Sequence, residues 1–136
     1  MLEPEFKGRV IVEATISPSE DVGKVAAAVE NVVGATRGGA EEEGLVIKLV
    51  SKDVRSLSRL RDQLRDRHVR SAARRILLSS KKGGSTVLML NRQAAAAGVL
   101  AVCSTPEESP LGPIYVTIES RQIDGIVDWL TAYESG

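Results

Sequence analysis

The sequence predicts an α+β two-layer sandwich, an antiparallel or mixed sheet with helices packed on one face, in the order β-α-β-α-α-β-β-β-α. Three observations carry this. Apolar residues alternate in some stretches and recur at helical spacing in others, so both kinds of element are present. Three strand-like stretches follow one another near the C-terminal end with short connections. Finally, 136 residues suit one domain, 1–136, and its core must be built from Val, Ile, Leu and Ala because only 3% of residues are aromatic.

The first strand runs from Arg9 to Ile16, with Val10, Val12, Ala14 and Ile16 on one face and Arg9, Ile11, Glu13 and Thr15 on the other. Ser17-Pro18-Ser19-Glu20 then reads as a helix start, with Ser17 as N-cap, Pro18 at the first helical position and Glu20 closing a capping box. The helix presents Val22, Val25, Ala26, Val29 and Val32 or Val33 as its apolar stripe, and Gly34 ends it. From Gly34 to Gly44 the sequence reads as a flexible loop holding Gly38-Gly39 and Glu41-Glu42-Glu43; Leu45 to Val50 is the second strand.

The next segment contains two helices, about 54–65 and 69–79. At about 100° per residue, Leu57, Leu60 and Leu64 cluster within roughly 60° of one another. Val69, Ala72, Ala73, Ile76 and Leu77 form a second stripe, rotated by more than a right angle from the first. One straight helix cannot turn both stripes to one core, so a kink is expected near Asp66-Arg67-His68. Lys81-Lys82-Gly83-Gly84 is the turn that follows.

Thr86 to Leu90 is the next strand, Gln93 to Ala97 a short helical turn stopped by Gly98, and Val99 to Cys103 another strand. The three prolines between Thr105 and Pro113 exclude a central strand there. Ile114, Val116 and Ile118 alternate with Tyr115, Thr117 and Glu119 in the last strand. Ser120 is the expected cap of a final helix with Ile123, Ile126, Val127 and Leu130 inward and Trp129 and Tyr133 at the edge of the stripe.

Charge is distributed unevenly along the chain. Residues 47–92 carry 13 basic and 3 acidic side chains, while residues 1–46 carry 4 and 9, and residues 93–136 carry 1 and 6. The net charge of zero therefore conceals a basic middle between acidic ends. Arg59, Arg67, Arg70, Arg74 and Arg75 lie on the helix pair, and Lys81, Lys82 and Arg92 extend the patch. Two readings are open. The guanidinium forks match phosphate oxygens, which points to a nucleic-acid backbone. Alternatively the basic face pairs with the acidic ends of the chain or with a second subunit. The few aromatics disfavour single-strand stacking and favour recognition of structured RNA by shape and backbone.

Other chemistry is largely excluded. No run of 18 apolar residues exists, so no membrane helix is expected, and the acidic N-terminus does not read as a secretory signal. The single Cys103 cannot form an internal disulfide and points to a reducing cytoplasm; it reads as a small buried hydrophobe. One Cys and one His do not make a zinc site. Lys81-Lys82-Gly83-Gly84-Ser85-Thr86 has its glycines after the lysines and a strand next, unlike a Walker loop. His68 reads as a packing or capping residue, and Asn91 as a turn or cap of the Ala-rich segment. An enzyme would need a pocket gathering Asn91, Gln93, an arginine and His68. No catalytic motif, cofactor, metal or small-molecule substrate is identified.

Several stretches together resemble a small archaeal family known as uncharacterised protein family 0201. They are Ser56-Leu57, Leu60-Arg61, Leu64-Arg65, Val69-Arg70-Ser71-Ala72-Ala73-Arg74, Asn91-Arg92-Gln93-Ala94-Ala95, Pro110-Leu111-Gly112-Pro113-Ile114 and Asp128-Trp129-Leu130, in the family's order. The resemblance marks Arg61, Arg74, Asn91 and Gln93 as motif polar residues. It implies a fold like that of the ribosomal protein that binds 5S RNA, a homodimer, and no assigned activity. Ser71 replaces an expected acidic residue, Arg92 an expected lysine, and Thr131-Ala132-Tyr133 a proline-containing tail. The expectation is thus a non-catalytic cytoplasmic protein that binds structured RNA through the Arg-rich helices, or else a homodimeric assembly module.

Overall fold

Alternation places β1 (Lys7–Thr15) at the centre of the sheet, because its Val10, Val12 and Ala14 all need one covered face. The computed structural model describes residues 6–34 and 40–132. After β1 come α1 (Val22–Val33), β2 (Glu41–Glu43), β3 (Val46–Asp53) and a 3₁₀ turn (Val54–Leu57). The helix pair is α2 (Ser58–Gln63) and α3 (Arg67–Ser79). Then follow β4 (Ser85–Leu90), α4 (Arg92–Ala96), β5 (Val102–Cys103), β6 (Ile114–Glu119) and α5 (Ile123–Thr131). The six strands order as β2-β3-β1-β6-β4-β5, and every neighbouring pair is antiparallel.

Register aligns the apolar positions of adjacent strands. Val12 faces Leu49 on one side and Val116 on the other, and Val116 in turn faces Leu88. These side chains, with Ile47, Leu90 and Ile118, form the buried face. Val29 and Val32 of α1, Leu60 of α2, Leu77 of α3 and Ile126, Val127 and Leu130 of α5 close over it. On the other face Ile11, Val87, Met89 and Tyr115 are half-buried and Val50 is exposed. Close passage of backbones at one end of the sheet requires glycine: a Cβ on Gly8 would lie 2.5 Å from the Glu119 carbonyl oxygen, and one on Gly84 2.7 Å from that of Ser120.

The α+β sandwich is as the sequence predicts, and so is the break between the central helices. Asp66 caps α3 through its side chain, accepting from the His68 and Val69 amides at 2.8 and 3.2 Å. Leu57, Leu60 and Leu64 are buried on one side of this break, and Ala73 and Leu77 on the other. Val69 departs from its expected inward place: at the first turn of α3 it is 38% exposed.

Other boundaries move for identifiable reasons. α1 starts at Val22 with Asp21 as its cap, rather than with Ser17. The Glu20 carboxylate does reach back to the Ser17 amide, at 2.8 Å, but it is also held by Arg92, so Ser17–Glu20 forms a separate turn. Glu41-Glu42-Glu43, expected in a loop, is an edge strand: Gly44 turns at φ 62 and Glu41 stands opposite Lys48. A short charged edge strand resists pairing with other chains. The strand expected at Val99–Cys103 shrinks to Val102–Cys103 because the Leu100 amide is given to Gln63 Oε1 at 2.7 Å. Ser120 does not cap α5 but braces the turn before it, accepting from the Gln122 amide and donating to the Lys7 carbonyl. Gly38-Gly39 and Tyr133 lie outside the described residues.

Candidate nucleic-acid interface

Because the break between α2 and α3 turns both apolar stripes inward, it turns the arginines of both helices toward the surface around the end of α5. Arg61, Asp62, Leu64, Arg65, Arg70, Leu130 and Ala132 line one groove of about 320 Å³. A second, of about 470 Å³, is lined by Arg67, Arg70, Ser71, Arg74, Asp128, Thr131 and Ala132. Arg70 and Ala132 belong to both, so five guanidiniums from α2, α3 and the junction between them line grooves at the end of α5.

Several of these arginines also hold the fold. Arg61 Nε donates to the Trp129 carbonyl at 2.8 Å, and its guanidinium carbon lies 5.6 Å from the Trp129 ring centroid. It thereby satisfies a carbonyl at the negative end of α5 and gains a cation–π contact. Arg74 NH1 donates to Asp128 Oδ1 at 2.8 Å and to Thr131 Oγ1 at 3.2 Å. Lys81 Nζ lies 2.6 Å from Asp124 Oδ1. Arg70 NH1 donates to the Arg65 carbonyl at 3.2 Å, which ties the start of α3 to the end of α2. Arg65, Arg67, Arg75 and Lys82 are exposed. The Val69 and His68 amides hold the Asp66 carboxyl below its ordinary pKa, aided by the charges of His68 and Arg70, so it stays an anion at the cap.

The remaining sequence candidates separate from this surface. Arg59 sits at the opposite end of α2, where NH1 makes a 3.4 Å hydrogen bond to the Asn31 carbonyl. Arg92 does not extend the basic patch: it is 4% exposed and its charge is neutralised by Glu20. NH1 donates to both Glu20 oxygens, at 2.6 and 2.7 Å, and to the Thr15 carbonyl, while Nε reaches the Gly112 carbonyl at 2.7 Å. Arg92 thus binds the end of β1 to the Pro110–Pro113 loop. Asn91 caps α4 by accepting from the Ala94 amide at 2.9 Å, as its turn reading requires, and Gln93 is exposed. His68 is exposed in the first turn of α3 rather than packed. Cys103 is buried, and burial followed by the Glu108 charge pushes its thiol above 9.0, away from nucleophilic use. Among the described residues no group of three or more His, Cys, Asp or Glu could hold a metal, and no helix is long and apolar enough to cross a membrane.

Arg65 was visible in the sequence as part of the helix pair but carries no distinguishing mark there. Only the groove that it lines with Arg61 and Arg70 brings it into the site.

Comparison with known proteins places the chain in a family. A protein from Sulfolobus acidocaldarius described as a UPF0201 protein is 42% identical over 125 residues, which span 90% of this chain and 86% of the relative. The chain belongs to the UPF0201 family. A UPF0201 protein of Sulfurisphaera tokodaii is 37% identical over the same shares of both chains. A family model described as RNA binding matches residues 9–120, and the chain belongs to that family as well. The crystal structure of a UPF0201 protein from Methanococcus jannaschii superposes with a TM-score of 0.71 at 25% identity, covering 94% of this chain and 96% of the other.

Proposed function

We propose that this protein binds structured RNA through its backbone phosphates, with the α2–α3 pair as the contact surface and no catalytic step. The observation that carries this reading is the gathering of Arg61, Arg65, Arg67, Arg70 and Arg74 around the two adjoining grooves. The description of the RNA-binding family supports it. At 1.5 Å per residue α3 is about 20 Å long, enough to meet several phosphates of a folded RNA. Phe6 and Trp129 pack against each other at 6.0 Å between ring centroids, and Tyr115 lies on the sheet. The helix pair carries no Phe, Tyr or Trp, which favours shape and backbone over base reading.

The test is binding to folded RNA across a salt series. Wild-type protein is compared with a variant carrying Arg65→Glu, Arg67→Glu and Arg75→Glu. Each phosphate contact contributes about 0.7–0.9 to the log–log salt slope, so losing three flattens it by about 2. An unchanged slope and affinity in a folded variant would refute the proposal.

A second reading, a homodimeric assembly module, draws on the pairs Arg74–Asp128 and Lys81–Asp124, in which α3 and the turn after it already meet the acidic C-terminal part of the chain. It requires a dimer that dissociates as salt rises. A monomer at every salt concentration in sedimentation would remove it.

A further inference from the structure

Arg74 bonds Asp128 and Lys81 bonds Asp124, so α5 runs antiparallel beside α3. The two arginine-lined grooves lie where α3 starts and α5 ends. A separate cleft of about 680 Å³ opens at the other end of this seam, with Arg9, Gly83, Gly84 and Arg121 in its wall. The Lys82 and Ser85 backbones bond each other in both directions, at 2.8 and 3.1 Å, which closes Gly83-Gly84 into a two-residue turn. The Ser120 amide donates to the Gly84 carbonyl at 2.8 Å, so Lys82 and Arg121 come to the same end of the sandwich. Glu119 and Asp124 also line the cleft, but each is already paired, with Arg9 and Lys81. Lys82 and Arg121 are exposed and form no ion pair among the described residues, so theirs is the surplus charge here. The 13 residues of α3 span about 20 Å, which separates this pair from Arg65 and Arg70 at the helix start. Between the two clusters stand Ser71 and Arg75, exposed on the side of α3 opposite the buried Ala73 and Leu77.

We infer that the RNA this surface fits is a double helix, held at both ends of α3 by phosphates of its two strands. This rests on the RNA-binding reading proposed above and adds the Lys82–Arg121 cleft to it as a second contact. A single strand presents one line of phosphates, and one cluster of cations satisfies it. A duplex presents two lines with a groove between them, which calls for two clusters with a less charged span between. The minor groove of A-form RNA is wide and shallow and displays 2′-hydroxyls. Arg65 and Arg70 meet the phosphates on one side of that groove, and Lys82 and Arg121 those on the other. Ser71 and Arg75 lie over the groove itself, within reach of the 2′-hydroxyls. Gly83 and Gly84 put no side chain beside Lys82, so the RNA backbone can come close to the turn. The minor groove of B-form DNA is only about 6 Å wide and has no 2′-hydroxyls, so it does not offer the same fit.

The test is fluorescence anisotropy of the full-length protein with a blunt RNA duplex of about two helical turns, each of its single strands, and a DNA duplex of the same sequence, across a salt series. The RNA duplex is expected to bind about tenfold or more tighter than either strand or the DNA. Lys82→Gln with Arg121→Gln weakens duplex binding by about tenfold or more and flattens its log–log salt slope by about 1.8, the loss of two phosphate contacts. The same variant binds the single strands as wild type does. Lys24→Gln with Lys52→Gln removes the same charge from exposed positions elsewhere and leaves duplex binding unchanged. Lys82→Gln alone, which flattens the slope by about 0.9, keeps the test decisive if the double variant fails to fold. Equal affinity for duplex and strands, or wild-type duplex binding by a folded Lys82–Arg121 variant, overturns the inference and leaves the RNA reading standing. Equal affinity for the DNA duplex overturns the assignment to RNA. Binding to no RNA at all removes the RNA reading, and this inference falls with it.

Discussion

Arg92 and the arginines of the helix pair come from the same basic stretch, yet the fold gives them opposite roles. Arg92 lies under the Pro110–Pro113 loop with its side chain 4% exposed, against a Glu20 side chain that is 10% exposed. Its charge is neutralised internally and most of its donors are used on Glu20, Thr15 and Gly112, although NH2 is buried without a partner. Arg65 and Arg75 are exposed, and an exposed guanidinium can exchange its hydration for phosphate. A count of arginines therefore overstates a binding surface by every guanidinium that the fold consumes. Arg61 and Arg74 are intermediate, each holding α5 while still lining a groove.

The largest effect that would break this comparison is at Arg92. Arg92→Ala leaves the Glu20 carboxylate enclosed without its cation, and loss of one partner of a buried pair costs about 3–5 kcal/mol. Denaturant unfolding measures this, and RNA affinity per folded molecule should not change. A variant as stable as wild type but defective in RNA binding would move Arg92 to the other side of the comparison.

A smaller effect is expected at Asp66. Asp66→Ala removes the cap that separates α2 from α3, so thermal stability falls and the Arg65–Arg67 junction loosens. The wild-type advantage depends on pH. The folded-state pKa is lowered from 3.8, so the ionised cap stabilises the fold above that value and the contribution is lost as pH falls through the folded pKa. Unfolding curves at pH 6 and below pH 3 should show the gap between wild type and variant narrowing in acid.

Arg74 and Asp128 should couple weakly. Their side chains are 43% and 65% exposed, and a double-mutant cycle should give at most about 1 kcal/mol, declining with added salt. The smallest stability effect belongs to Arg65→Gln, within about 0.5 kcal/mol of wild type. The same substitution should lower the RNA salt slope by a little under one contact, which sharpens the distinction between a structural arginine and a binding one.

Much of the architecture was legible because it follows from local periodicity. Leu57, Leu60 and Leu64 against Ala73 and Leu77 fixed the helix break, since side-chain direction along a helix is set by a rotation of about 100° per residue. Gly34 ended α1 with its positive φ, and alternation defined β1, β4 and β6. Asn91 was readable as a cap because the Asx side chain bonds within its own few residues. What failed were assignments that depend on a distant partner. Ser17 looked like a cap until Glu20 was drawn to Arg92. The glutamate run looked like a loop until β3 placed Lys48 opposite Glu41.

The sequence by itself determined the α+β class, the order of most elements and the basic character of the middle segment, because these depend on the spacing and type of neighbouring residues. Only the tertiary structure decided which of those basic residues face water. That choice depends on contacts such as Arg92 with Glu20 and Arg74 with Asp128, which join residues far apart in the chain. Desolvating a guanidinium is tolerable only where the fold supplies a carboxylate and carbonyls to replace water, and only folding brings those groups together.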